Sequence, residues 1–252
     1  MLTIMKKKST KEKEIFSELQ ALIKKGKKRS NRHFNPDYKS LKIRERTIRK
    51  YIHRLCELMC FTLETFYLTV SLIDHVTSQY LFSPKKFFQI SIVCLSLAAK
   101  VKENRKSFQN MQISKLLESI EERLQIERFL LQEFKFELNH ITPFDYVQYF
   151  LQMEDTFEGI PLRLKGRFYS MIFEVLFEIV LNYKNNKFNP LVVAVVALMI
   201  VRKRLRLKRV LPFFVEKVTS YSEDIFSLFL NELKLKNHKI YKNLNASVLS
   251  GK

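Results

Sequence analysis

Glycine is scarce in this chain. Gly26, Gly159, Gly166 and Gly251 are the only four, and there are six prolines. Sheets joined by tight turns need more Gly, Asn-Gly and Asp-Gly than this, so the class reads as all-α. The same scarcity removes the phosphate-cradling loops of the GxxxxGK and GxGxxG kinds. Cysteine is limited to Cys56, Cys60 and Cys94, an odd number with no CxxC pair. That set argues against a disulfide framework or a zinc ribbon and suits packing in a reducing compartment. Cys56 and Cys60 lie four apart and offer at most half a metal site, with packing the better reading. His33, His53, His75, His140 and His238 show no HExxH or other ligand spacing. His75 is expected on a helix surface. No metal, no cofactor and no catalytic activity are expected. A long apolar run is missing too. LVVAVVALMIV at 191–201 is too short to cross a bilayer of roughly 30 Å, and it reads as a core helix rather than a membrane span. At the amino terminus MLTIMKKKSTKEKE turns charged before any apolar run develops, which speaks against a secretory leader.

Positive charge is plentiful and unevenly spread. The formal charge is +20, and residues 1–50, with 17 Lys and Arg against 5 Asp and Glu, supply +12 of it. A field of that sign favours acidic partners, nucleic acid or anionic surfaces, without choosing among them. Residues 1–40 read as a basic arm. KEKEIFSELQALIKK (11–25) places Ile15, Leu19 and Leu22 at helical spacing, and GKKRSNRHFNPDYKS after it reads as linker. From the polarity of this arm and the linker composition after Lys25, residues 1 to about 40 are expected to be dispensable for folding.

From about residue 41 the chain becomes a series of helical segments. IRERTIRKYIHRLCELMCF and ETFYLTVSLIDHVTSQY come first. SPKKFFQISIVCLSLAAKV follows, with Ser83 as N-cap and Pro84 at the first helical position. It is apolar nearly all round, which marks a helix enclosed by others. SFQNMQISKLLESI and EERLQIERFLLQEFKF complete a group of five. The second half repeats the plan. TPFDYVQYFLQM and RFYSMIFEVLFEIVLNYK precede NPLVVAVVALMIVRKRL, which again opens with an N-cap, Asn189, and a first-position Pro190. LPFFVEKVTS and SEDIFSLFLNELKL finish the set. The expected architecture is two consecutive five-helix bundles, each around one buried helix. Its bounds are an arm at 1–40 with one helix, bundles at 41–139 and 140–236, and a tail at 237–252.

Four pieces carry a family likeness. ETFYLTVSLIDH (64–75), CLSLAAKVKE (94–103), IERFLLQEFKFEL (126–138) and ITPFDYVQYFL (141–151) together resemble the first box of the cyclins, with wording closest to the D type. NPLVVAVVALMIVRKRL with YSEDIFSLFLNEL (221–233) resembles the more divergent second box. The resemblance spans roughly residues 40–236. It implies two cyclin boxes and a noncatalytic subunit that seizes the mobile αC helix of a cyclin-dependent kinase, as a heterodimer in cell-cycle control. In an active kinase that helix must supply a Glu to the ATP-binding Lys, so positioning it controls activity. By match, Lys100 and Glu127 are the polar clamp on backbone next to αC, with Leu97, Leu131, Phe136 and Leu138 as apolar anchors. The family usually has two acids in a KxEE motif; here those positions are Lys102 and Glu103. The Met and Trp docking patch of many cell-cycle cyclins is matched by Arg44, Thr47, Ile48 and Tyr51.

Each clamp residue also has a plainer reading. Lys100 suits the carboxyl end of a helix, where a cation interacts with the macrodipole for about 0.3–1 kcal/mol, and Glu127 lies four residues after Arg123, at ion-pair spacing. Two basic clusters are left over. KKGKKRSNR, with Lys24, Lys25, Lys27, Lys28 and Arg29, and RKRLRLKR, with Arg202, Lys203 and Arg204, are candidates for nuclear import or nucleic-acid contact. Neither interleaves aromatic residues with its cations. A nuclear or cytoplasmic location is expected. The rival readings are a cyclin-fold transcription factor on DNA and a kinase-free structural subunit.

Overall fold

The computed structural model describes residues 14–25 except 16, then 42–103, 119–158, 160–182, 189–219, 226 and 228. The expected linker after Lys25, most of the fourth helix of the first group, most of the final helix and the tail lie outside the described residues. Every regular element among the described residues is helical. They fall into two compact units that divide between Thr142 and Pro143.

One unit contains α2 (Lys42–Leu58), α3 (Leu63–Gln79), α4 (Pro84–Lys102) and α5 (Ile120–Glu133). α4 is the helix the others enclose, packing against α2, α3 and α5. Its sequence accounts for that place. Ser83 accepts from the Lys86 N–H at 3.4 Å, Pro84 sits at the first position, and Phe87 and every residue from Gln89 to Ala99 are buried. α5 starts in the same way, with Ser119 accepting from the Glu122 N–H. The Glu122 carboxylate in turn receives Gln89 Nε2 at 2.8 Å, tying α5 to α4. Beneath α2, Arg49 pairs with Asp74 of α3, both buried.

His75 is buried, not at the surface. It lies 5.4 Å from the His140 ring and edge-on to Phe134 at 5.1 Å, and its own helix supplies Gln79 as a polar contact. An imidazole between aromatic rings is half apolar, and the helical pattern of α3 cannot reveal rings arriving from beyond α5.

The other unit holds the helix at residues 17–25 (α1), α6 (Pro143–Met153) with a π-helical turn at Glu154–Glu158, α7 (Leu162–Asn182, through Val180), α8 (Pro190–Arg204) and α9 (Phe213–Thr219). Its core helix is α8. Asn189 Oδ1 accepts from the Leu191 N–H at 2.9 Å, and Val193 to Arg202 are buried without a break. α1 is packed rather than loose. Leu19 is fully buried and Ile15 and Ile23 nearly so, while Tyr146 of α6 donates its hydroxyl to the Leu22 carbonyl at 3.2 Å. Burial and the Glu18 carboxylate push the Tyr149 phenol up. Ile15 and Leu19 pack as their spacing implies, and Ile23 rather than Leu22 completes the buried stripe.

Glycine poverty shows at the helix ends. α2, α5 and α8 all close with the same pair of bonds, C″ to C3 and C′ to C2, seen as Phe61 to Cys56, Phe136 to Leu131 and Leu207 to Arg202. The C′ position of that closure requires a left-handed residue, usually Gly. Here Cys60, Lys135 and Arg206 take it, at φ 54°, 49° and 52°.

Candidate functional site

The site forms where α4 ends. Lys100 leaves the last turn of α4 and its ammonium pairs with the Glu127 carboxylate of α5. The pair is semi-exposed, with side-chain accessibilities of 40% and 17%. The i, i+4 alternative for Glu127 is not formed. Arg123 makes no ion pair among the described residues, and its Nε is buried without a hydrogen bond there. Of the apolar anchors, Leu97 is buried, one turn before Lys100 on α4. Leu131 and Leu138 are half-buried. Phe136 is 72% exposed, thrown outward by a second successive left-handed residue, φ 60°. A bulky residue in that region stores strain, of order 1 kcal/mol or more.

Sequence reasoning missed two members of this surface. Ile120 and Leu124 are 69% and 50% exposed on α5. With Glu127 and Leu131 they follow the i, i+4, i+7, i+11 spacing that puts side chains on one helical face. An apolar stripe of this period normally faces a core; here half or more of its leading residues' surface meets solvent. The spacing was readable, but its exposure was not.

The acids and bases beyond Lys100 turn inward. Glu103 accepts from the Thr62 N–H at 2.8 Å and the Thr62 hydroxyl at 2.9 Å, and also from the Thr65 hydroxyl. It therefore caps α3, whose own N-cap side chain makes no capping bond. Lys102 lies 3.6 Å from Glu64 in the same first turn. On α2, Thr47 and Tyr51 are exposed and Ile48 is half-buried; the Arg44 side chain lies outside the described residues.

The basic clusters divide. Lys24 and Lys25 are exposed at the end of α1, whereas Lys27, Lys28 and Arg29 lie outside the described residues. Lys203 is exposed and Arg204 half-buried. Arg202, a candidate anion contact in the sequence, is instead 3% exposed and bonded to both carboxylate oxygens of the buried Glu154. The acid that claims it lies 48 residues earlier, out of reach of any local pattern.

No cluster of His, Cys, Asp or Glu able to hold a metal occurs among the described residues, and no helix among them is long and apolar enough to cross a membrane.

A family model for the cyclin N-terminal domain matches residues 14–139, half of the chain. Among solved structures, a viral cyclin from herpesvirus saimiri is similar in fold, with a TM-score of 0.60 over 78% of this chain and 86% of that one, at 16% identity. No curated protein matches. An all-helical unit built round α4, with the family model running through α2 to α5, leads to one assignment: the chain belongs to the cyclin family.

Proposed function

We propose that this cyclin is a regulatory subunit that binds and activates a cyclin-dependent protein kinase, in cell-cycle control, in the nucleus or cytoplasm. The observation that carries the reading is the Lys100–Glu127 pair, semi-exposed and in the same unit as the solvent-facing Ile120, Leu124 and Phe136. A charged pair amid apolar surface suits a protein interface. Apolar contact excludes water and supplies most of the binding energy, while the fixed charges set orientation. Lys100 donates and Glu127 accepts, so together they fit both polar groups of a partner's backbone. Catalysis, ATP and magnesium belong to the kinase. Glu103 and Lys102 are engaged on α3, so the partner is held by Lys100 and the α5 face rather than by the acids of a KxEE motif.

The test is affinity purification of the full chain, followed by titration of the kinase recovered. Lys100→Ala and Glu127→Ala should each weaken the complex about thirtyfold, the consequence of losing a hot spot of about 2 kcal/mol. The double variant should cost less than the sum, because the two residues serve one contact. Arg123→Ala should leave binding intact. Kinase binding indifferent to both residues would refute the site, and a kinase-free assembly or polymerase subunits would favour the rival readings.

A further inference from the structure

We propose that the last turn of α8 and the loop after it form a binding surface for single-stranded nucleic acid. The loop is held by the core beneath it. Arg202, locked to Glu154, sends its Nε–H to the Arg209 carbonyl at 2.8 Å, and the Leu207 N–H returns to the Arg202 carbonyl at 3.0 Å. Arg206, left-handed at φ 52°, makes the turn between them. The alternation that results sorts the side chains. Leu205 and Leu207 are half-buried, while Lys203, Arg206, Lys208 and Arg209 are exposed. None of these four cations forms an ion pair among the described residues. α9 beyond them adds one acid, Glu216, and one base, Lys217, and so does not neutralise the cluster.

The carboxyl end of α8 does not require this much charge. A helix terminus carries roughly half an elementary charge, and four like charges held on a fixed turn repel one another. An external polyanion relieves that repulsion. Two of the four are arginines, whose planar fork matches phosphate oxygens in pairs.

The neighbouring ring selects the kind of polyanion. Phe213 is 57% exposed, and the Arg209 guanidinium lies 5.8 Å from its centroid. The cluster contains no aromatic residue of its own, but the fold supplies one four positions later. A solvent-facing ring beside phosphate-binding cations is the arrangement on which unpaired bases stack. A duplex would keep its bases from the ring, and an acidic peptide would leave it unused.

The experiment is fluorescence anisotropy of a labelled oligothymidylate with the full chain, across a salt series. Four phosphate contacts should contribute a slope of about −2.8 in log affinity against log salt, and K203Q/R206Q/K208Q/R209Q should remove that contribution. These glutamines preserve the backbone bonds, and a thermal melt checks that the variant folds. Phe213→Ala should weaken binding about five- to 150-fold while leaving the slope unchanged. R46Q/K50Q/R54Q, which removes exposed charge from α2, should alter the slope far less than the loop variant. Wild-type affinity in Phe213→Ala would overturn the proposal, as would equal slopes for the loop and α2 variants. So would loop-dependent binding to phosphatidylserine vesicles with none to the oligonucleotide. Should the fourfold variant fail to fold, Phe213→Ala and Arg209→Gln alone decide the matter.

Discussion

Replacing Arg202 by methionine should be among the most damaging single changes in the chain. Arg202 is 3% exposed, and both oxygens of the fully buried Glu154 depend on its guanidinium. Methionine fills most of the volume but leaves a carboxylate in the core with that partner gone. Breaking a buried pair in this way costs about 3–5 kcal/mol. At about 2–4 °C per kcal/mol for a domain of this size, the melting temperature should fall by roughly 6–20 °C. Glu154→Gln should cost a similar amount, because it removes the negative charge that pairs with the buried guanidinium. The double variant R202M/E154L separates the pair's value from the cost of breaking it. Removing both charges together is often neutral or even stabilising, so it should recover most of the loss. Urea unfolding followed by circular dichroism and by tyrosine fluorescence would measure all three, and two probes guard against the two units melting separately. Single variants costing under about 1 kcal/mol, or a double variant costing their sum, would refute the reasoning.

Deleting residues 1–25 should lower the melting temperature instead of sparing it, and Leu19→Ala alone should cost about 2–5 kcal/mol, because its side chain is fully buried. Unchanged unfolding of the truncated chain would show that α1 contributes nothing. Iodoacetamide at neutral pH should modify the exposed Cys60 in the native protein and reach the buried Cys56 and Cys94 only after unfolding, as peptide mapping would reveal. Burial, with the Glu103 and Glu57 carboxylates, pushes the Cys56 thiol from 9.0 to about 12. Above pH 9.0 the unfolded thiol therefore loses a proton that the folded one keeps, and stability should fall with rising pH until about 12.

The two core helices were legible because their signals are local. Ser83-Pro84 and Asn189-Pro190 set their starts, and an apolar surface all round told of their enclosure. The meeting of Lys100 and Glu127 followed only from family likeness, since 27 residues separate them and no periodicity spans that distance. What escaped notice were the partnerships of polar residues. Arg202 looked like the first cation of a basic run, yet it is the one whose charge is consumed by the core. His75 looked like surface for a similar reason, because the rings that bury it come from a different segment. At the amino-terminal helix the spacing of Ile15 and Leu19 was legible, but the excess of lysine and glutamate outweighed it, and the third buried residue is Ile23 rather than Leu22. Composition averages over faces, and folding acts on one face at a time.

Glu103 makes the end of α4 and the start of α3 a single mechanical joint. Its carboxylate spans both, taking the Thr62 N–H and the hydroxyls of Thr62 and Thr65 three residues after Lys100 leaves for Glu127. A visiting basic group that captured this carboxylate would uncap α3 and fray its first turn. Such a visitor and a well-formed α3 would compete for one group. Lys100 is exempt from that competition, because its ammonium can turn outward without releasing any backbone group.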